Sequence, residues 1–263
     1  MQSSFLFVPG DRPERFEKAA ASGAHAIVID LEDAVQPDRK GLAREAVRSW
    51  LSEGRPAVVR INGDGTEWHE DDLALLSLPS LQAVMVPKCE RPDSLARIER
   101  AGGKAVIALV ESAFGVWHAL DIATAPNVIR LAFGSVDFGL DAGIDEDGEG
   151  MAYARSRLVL ASAVAGLAAP IDGVTLALDD ADRLRADVLA AKRLGLGGKL
   201  CIHPRQVEAV NAGFAPTEAQ LAWARDVVEA SNAAPGNGAL RVKGQMIDRP
   251  VIERARRLLG SGN

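Results

Sequence analysis

The chain reads as a closed (β/α)8 barrel of the TIM type. Three features lead there: eight short runs of strand character, Ala- and Leu-rich helical patterns between them, and no glycine-rich phosphate loop after the first run. The runs are Phe5 to Val8, Ala26 to Asp30, Ala57 to Ile61, Ala83 to Val86, Ala105 to Val110, Val128 to Phe133, Val174 to Leu178 and Leu200 to Ile202. They are apolar throughout rather than alternating, the pattern of strands covered by helices on one side and packed into a barrel on the other. Helical patterns fill the gaps at Arg12 to Ser22, Gly41 to Leu51, Ser94 to Ala101, Ala152 to Gly166 and Ala181 to Leu194. Strand-helix alternation gives a parallel sheet. An open doubly wound sheet would call for GxGxxG or a P-loop after strand one, where Val8-Pro9-Gly10-Asp11 stands instead.

The barrel is expected over residues 1–232, with a linker and C-terminal appendage over 233–263 that packs on a neighbouring subunit. A helix from Thr217 to Asn232 opens on a Thr217/Gln220 capping box. The turn-rich Ala233-Ala234-Pro235-Gly236-Asn237-Gly238 follows, then a short extended stretch over Leu240 to Met246 and a last helix from Arg249 to Leu259 with Pro250 in its first turn. Gly139 to Gly150 carries Asp141, Asp145, Glu146, Asp147 and Glu149 but not the ligand spacing of an EF-hand, so it reads as a solvated loop at the barrel mouth.

At 263 residues and 48% hydrophobic, the chain is long enough for one large core. A net charge of -6, with basic residues scattered along helices and no aromatic-interleaved basic stripe, argues against nucleic acid. Two cysteines, Cys89 and Cys201, have no CxxC spacing, and no signal-peptide pattern is seen at the start, which points to a reducing cytoplasm. The most apolar stretch, Leu158 to Ala169, is too short to cross a bilayer.

Parallel barrels deliver the C-terminal ends of their strands to one face, and there the polar residues gather. Strand two ends in Asp30-Leu31-Glu32-Asp33, strand three in Arg60, strand four in Lys88, strand five in Glu111, strand six in Asp137 and strand eight in His203. Glu111 and Asp137 form a carboxylate pair suited to a hard divalent cation, with helix capping as the alternative. Arg60 is suited to gripping a substrate carboxylate bidentately, with an ion pair to Asp30 or Glu32 as the alternative. Lys88 reads as the ion-pair partner of the strand-two acids rather than a Schiff-base lysine, and His203 fits either a substrate contact or a packing and hydrogen-bonding residue and stands outside the catalytic set.

The phrases Phe5-Leu6-Phe7-Val8-Pro9-Gly10, Asp30-Leu31-Glu32-Asp33-Ala34-Val35, Val59-Arg60-Ile61-Asn62, Leu109-Val110-Glu111-Ser112, Phe133-Gly134 through Asp137-Phe138, Cys201-Ile202-His203-Pro204 and Gly244-Gln245-Met246-Ile247-Asp248 occur in order along nearly the whole chain. In these it resembles the citrate lyase beta-subunit-like family, grouped with malyl-CoA and citramalyl-CoA lyases among the aldolase/citrate lyase barrels. The resemblance implies a Mg2+-dependent barrel, a homotrimer or a multiple of one, acting on an acyl-CoA thioester and a 2-oxo acid. It implies Glu111 and Asp137 as Mg2+ ligands and Arg60 as the carboxylate grip. Backbone N–H groups around Val136 and Asp137 would assist, and Asp30, Glu32, Asp33 and Lys88 would surround the site. It also implies Asp248 as an acid/base residue reaching a neighbour's site, where the sequence by itself equally offers a helix N-cap. The expected reaction is carbon-carbon cleavage or formation of citramalyl-, malyl- or citryl-CoA, with thioester hydrolysis possible at the same site. The alternatives are a beta subunit working only in a complex on an acyl-carrier-protein thioester, and a pyruvate aldolase needing no CoA.

Overall fold

Eight parallel strands close on themselves in chain order: β1 (Ser4–Pro9), β2 (Ala26–Asp30), β3 (Ala57–Arg60), β4 (Leu81–Val86), β5 (Val106–Val110), β6 (Val128–Phe133), β7 (Ile171–Asp172) and β8 (Gly198–Cys201). β8 pairs back onto β1 through Phe5 and Leu200, so no edge is left open. This computed structural model describes residues 2–145, 149–233, 240–242 and 244–260. Glu146, Asp147 and the linker 234–238 lie outside the described residues.

The barrel interior is filled by one side chain per pleat from neighbouring strands, among them Phe5, Val28, Val58, Met85, Ile107 and Leu200. Arg130 is buried toward the N-terminal end of β6, where its guanidinium donates to the carbonyls of Ala169 (2.6 Å) and Gln2 (2.8 Å) and stacks on Phe5. It meets carbonyls rather than a carboxylate, and burial draws its pKa down to about 10.

The helices are α1 (Phe16–Ala20), α2 (Lys40–Ser52), α3 (His69–Leu73), α4 (Ala96–Arg100), α5 (Ala113–Trp117), α6 (Ala119–Ala123), α7 (Ser135–Ala142), α8 (Glu149–Val164), α9 (Ala181–Leu194) and α10 (Val207–Phe214). α7 continues to Ala142 and ends on Gly143 at φ 65°, so the irregular stretch expected from Gly139 is shorter than the glycines suggested. No described helix is long and apolar enough to cross a membrane.

The seventh strand differs from expectation. The apolar run Val174 to Leu178 lies beyond it, with Leu176 and Leu178 exposed, while the ladder is made by Ile171 against Ala132 and Gly198. Gly173 ends the strand where a side chain cannot fit: a Cβ there would lie 2.7 Å from the Ser135 Cβ and 3.1 Å from the Phe133 carbonyl. A two-residue strand bounded by Pro170 and Gly173 leaves no periodic signal.

The chain divides into two compact units between Gly213 and Phe214. The division falls one helix earlier than the linker suggested. The second unit holds α11 (Glu218–Ala233), a hairpin of β9 (Leu240–Val242) and β10 (Gln245–Ile247), and α12 (Arg249–Gly260). Its core is Ala224, Val227, Ile247 and Ala255, with Trp223, Val251, Ile252 and Leu259 packed against them. The Thr217/Gln220 capping box is formed in both directions, at 2.9 and 3.2 Å.

The close approach at Gly173 is directly testable. Gly173→Ala should lower Tm by several degrees, since 1 kcal/mol is roughly 2–4 °C for a domain of this size. Adding Ser135→Gly should recover the larger part, and an unchanged Tm in the single variant would contradict the packing argument.

Candidate functional site

Five carboxylates and two cations converge where β2 to β6 end. Asp30, the last residue of β2, is almost fully buried and is fixed before any ligand arrives: its oxygens accept the backbone N–H groups of Glu32 (2.9 Å) and Ala34 (3.0 Å). The same two oxygens take the Arg60 fork from β3, Nε at 2.7 Å and Nη2 at 2.6 Å. The ion pair named as the alternative for Arg60 is therefore present, and it is bidentate. Burial alone would lower the Arg60 pKa, but Asp30, then Glu32 and Asp33, outweigh it and raise it. Its remaining nitrogen, Nη1, lies 3.0 Å from Glu32 and 3.7 Å from Asp33, and the guanidinium covers the Phe7 ring. The contact to Glu32 Oε2 is an ion pair without hydrogen-bond geometry, because that oxygen is buried and accepts no hydrogen bond among the described residues.

Lys88 links the β2 acids to β5. Its Nζ donates to Glu32 at 2.7 Å and its backbone N–H donates to Glu111 Oε1 at 2.7 Å. The backbone at Lys88 is left-handed, φ 49°, an uncommon conformation for a lysine, and this turn aims the N–H at the Glu111 carboxylate. Partial burial pulls the lysine pKa down, but the Glu32 hydrogen bond and surrounding acids raise it overall, the reverse of what a Schiff-base lysine needs.

Glu111 stands one residue past β5 and is buried. Gly134, after β6, faces it so closely that a Cβ would sit 2.4 Å from the Glu111 Cβ and 2.6 Å from Oε2, so only glycine admits the carboxylate. Ser112 caps α5 by accepting the Gly115 N–H at 3.1 Å, which leaves Glu111 outside the capping role. Asp137 is exposed in the first turn of α7, whose N–H groups, including those of Val136 and Asp137, have no acceptor within the helix. That turn favours an anionic side chain. Burial pushes the Glu111 carboxyl up to about 8; the Lys88 N–H opposes this, and the Glu32 and Asp137 charges add to it. One oxygen of Glu111 is held by Lys88 and the other accepts no hydrogen bond among the described residues.

The donor chemistry is therefore two hard oxygen ligands in a region of excess negative charge. Among the described residues no three His, Cys, Asp or Glu side chains are grouped to cage a metal. A zinc-type site is thus not formed, whereas Mg2+ takes one or two carboxylates and keeps waters or substrate oxygens. A cavity of about 330 Å³ opens beside Glu32 and Lys88, lined also by Gly63, Thr66 and Pro87. A larger cavity of about 440 Å³, lined by Ser135, Arg155, Thr175 and Asp187, shares no residue with the carboxylate cluster.

Sequence reasoning missed the support behind this cluster. Lys40 of α2 is buried, and its Nζ donates to the Leu31 and Glu32 carbonyls at 2.9 Å and to Asn62 Oδ1 at 2.6 Å, tying the ends of β2 and β3 together. Asp72 of α3 accepts the Asn62 N–H (2.9 Å) and Nδ2 (2.6 Å) and the Arg44 Nε (2.8 Å). A lysine opening a helix carries no sign in sequence that it points inward. His203 accepts the Arg205 N–H and caps a short turn, in line with a packing role. Asp248 lies in the other unit, exposed, where its Oδ1 accepts the Val251 N–H at 3.3 Å and caps α12.

Comparison with known proteins gives the family. The HpcH/HpaI aldolase/citrate lyase family model matches residues 3–204, and the chain belongs to that family. It is 38% identical to a citrate lyase subunit beta-like protein of Deinococcus radiodurans, over 97% of this chain and 95% of that one. It is 35% identical to an L-malyl-CoA/beta-methylmalyl-CoA lyase of Cereibacter sphaeroides, over 95% and 91%. A crystal structure of CitE from Mycobacterium tuberculosis in complex with magnesium, acetoacetate and coenzyme A superposes with a TM-score of 0.85 at 35% identity, covering 99% of this chain and 97% of that one.

The raised Glu111 carboxyl sets a pH dependence. Folded, it holds its proton to about pH 8, against an ordinary value of 4.5, so in metal-free buffer stability falls as pH rises through that window. Glu111→Gln should show a shallower fall in Tm between about pH 5 and 8; parallel curves would contradict it.

Proposed function

We propose that this chain is a Mg2+-dependent carbon-carbon lyase that cleaves or forms a 3-hydroxyacyl-CoA, with acetyl-CoA and a 2-oxo acid as the partners. The observation that carries this is the buried Glu111 carboxyl, pushed up by burial and by the Glu32 and Asp137 charges and packed against Gly134, which opens the helix whose first turn carries Asp137. Family membership and the lyase relative support it, as does the solved relative holding magnesium and coenzyme A.

Glu111 and Asp137 would hold Mg2+, which supplies charge stabilisation for the oxygen of the 3-hydroxyl group as it loses its proton. The C2–C3 bond of the acyl chain then breaks: C3 becomes the carbonyl of the oxo acid, and the electron pair passes to C2 as a thioester enolate. Arg60 would meet the oxo-acid carboxylate through its Nη1 edge, displacing Glu32, because its Nε/Nη2 edge is committed to Asp30. N–H groups of Val136 and Asp137 at the start of α7 would orient the same carboxylate. Asp30, Glu32, Asp33 and Lys88 hold Arg60 and Glu111 in place. Asp248, acting on a neighbouring subunit in a homotrimer or a multiple of one, would accept the 3-hydroxyl proton and return it to C2 of the enolate. Its hydrogen bond to Val251 is compatible with that role, since a carboxylate has acceptor capacity to spare.

Incubation with Mg2+ and a panel of malyl-, citramalyl- and citryl-CoA, following acetyl-CoA and free CoA, tests this directly. Acetyl-CoA release by the chain alone supports the lyase; release of CoA only would point to a thioesterase; no turnover without partner proteins would favour the beta-subunit reading. Asp137→Ala should remove Mg2+-dependent turnover while keeping the fold, because Asp137 is exposed. Arg60→Lys should weaken oxo-acid binding strongly, as a lysine cannot hold Asp30 through two nitrogens while presenting a third to the oxo acid. Mixing Asp248→Asn with Glu111→Ala subunits should restore part of the activity lost in each; no rescue after verified subunit exchange would contradict the cross-subunit role.

A further inference from the structure

The apolar run Val174 to Leu178, expected in the barrel wall, joins no strand. Its first four residues instead line the cavity of about 440 Å³ beyond β7, together with Ala186 and Ala190 of α9, and Leu176 is more than half exposed. That volume lies within the range of small-molecule sites, roughly 300–1,000 Å³. All of these residues belong to the barrel unit.

The polar part of the lining is charged and incompletely paired. Asp172, the last residue of β7 and fully buried, accepts Arg155 Nε at 2.7 Å and lies 3.2 Å from Lys199 Nζ, so two cations share one carboxylate. Lys199 is sealed in the wall, where it also donates to the Gly173 carbonyl at 2.7 Å. Of these three side chains only Arg155 lines the cavity, and its terminal nitrogens, Nη1 and Nη2, donate no hydrogen bond among the described residues. Ser135, the first residue of α7, lines the same cavity at 5% exposure, and its hydroxyl makes no hydrogen bond among the described residues. Arg183 and Asp187, ion-paired at 2.8 Å, complete the lining with Thr175, which donates to Asp187 at 2.6 Å.

Anchoring α8 to the barrel wall does not account for Arg155. Its Nε suffices for Asp172, which leaves the outer edge of the fork unused beside a nearly buried hydroxyl that lacks a partner, and such donors are normally satisfied. We propose that this cavity binds a short aliphatic monocarboxylate, at a site separate from the metal cluster. The carboxylate accepts Nη1 and Nη2 of Arg155 side by side, a geometry the planar fork is suited to, and takes the Ser135 hydroxyl on one oxygen. One negative charge balances the two cations that Asp172 alone leaves half neutralised. The alkyl chain then covers Val174, Leu176, Ala177 and Ala186, apolar surface that a bare inorganic anion would leave in contact with water. The site stands whether or not the lyase reading does.

The test titrates the full chain with butyrate in metal-free buffer and follows saturation-transfer NMR of the ligand methyl group. Butyrate should bind saturably; 1-butanol, which lacks the charge, and inorganic phosphate, which lacks the chain, should displace it at least about tenfold less effectively than butyrate itself. Ala186→Phe fills the cavity from an exposed helix position and should abolish the transfer. Arg155→Gln should do the same, and Ser135→Ala should weaken binding about tenfold, the value of one hydrogen bond to a charged group. Should Arg155→Gln fail to fold because Asp172 loses a partner, Ala186→Phe decides alone. Arg60→Lys, at the barrel mouth, should leave butyrate binding as it is. No saturable binding, binding retained in Ala186→Phe, binding lost in Arg60→Lys, or equal displacement by butanol or phosphate would overturn the proposal.

Discussion

Excess negative charge at the C-terminal mouth of the barrel is the constraint on which the rest of the site depends. Asp30, Glu32, Asp33, Glu111 and Asp137 outnumber the cations set against them, Arg60 and Lys88 within the cluster and Lys40 behind it. Buried carboxylates without matching charge are costly, and such a site relieves the cost by holding a proton, by pairing, or by taking up a cation. Here the first two are divided by position. Asp30 is paired, and Glu111 is pushed toward its protonated form. Lys88 sets that division, because one residue neutralises Glu32 with its side chain and positions Glu111 with its backbone.

The scaffold behind the cluster keeps these groups in register. Lys40 satisfies two carbonyls of the β2 exit and the Asn62 side chain, and Asp72 locks the Asn62 backbone. Truncating Lys40 would leave the Leu31 carbonyl and Asn62 Oδ1 without a donor and the Glu32 carbonyl with the Val35 N–H alone, so its loss would be felt at Arg60 and Glu32 without either being touched. Gly134 acts in the opposite sense, by contributing no atoms where the Glu111 carboxylate must lie.

Much of this was legible from residue order. Doubly covered strands advertise themselves by continuous apolar runs, so β2 and β6 were bounded correctly to the residue. The strand ends then follow from topology, because a parallel barrel brings every carboxylate after a strand to one face. β7 was misplaced because a two-residue strand has no period, and the apolar Val174 to Leu178 beside it imitated one. Arg60 could be assigned to the site but not to Asp30 in particular, since ion pairing depends on which neighbour the register presents. Lys40 and Asp72 were invisible for a related reason: a charged residue in a helix reads as solvated until the packing shows that it turns inward. The left-handed backbone at Lys88 is likewise a tertiary property, with no glycine or asparagine to announce it.

The central claim is that an uncomfortable carboxylate, Glu111, becomes comfortable only on taking up Mg2+. Because a ligand must be deprotonated to bind a metal, and Glu111 titrates at about 8, binding near pH 7 must expel its proton. Isothermal titration of Mg2+ in buffers of differing ionisation enthalpy measures that proton directly. The account predicts release approaching one proton per site near pH 7, diminishing above about pH 9. Tight binding with no proton released near pH 7, or no binding at any pH, would contradict it.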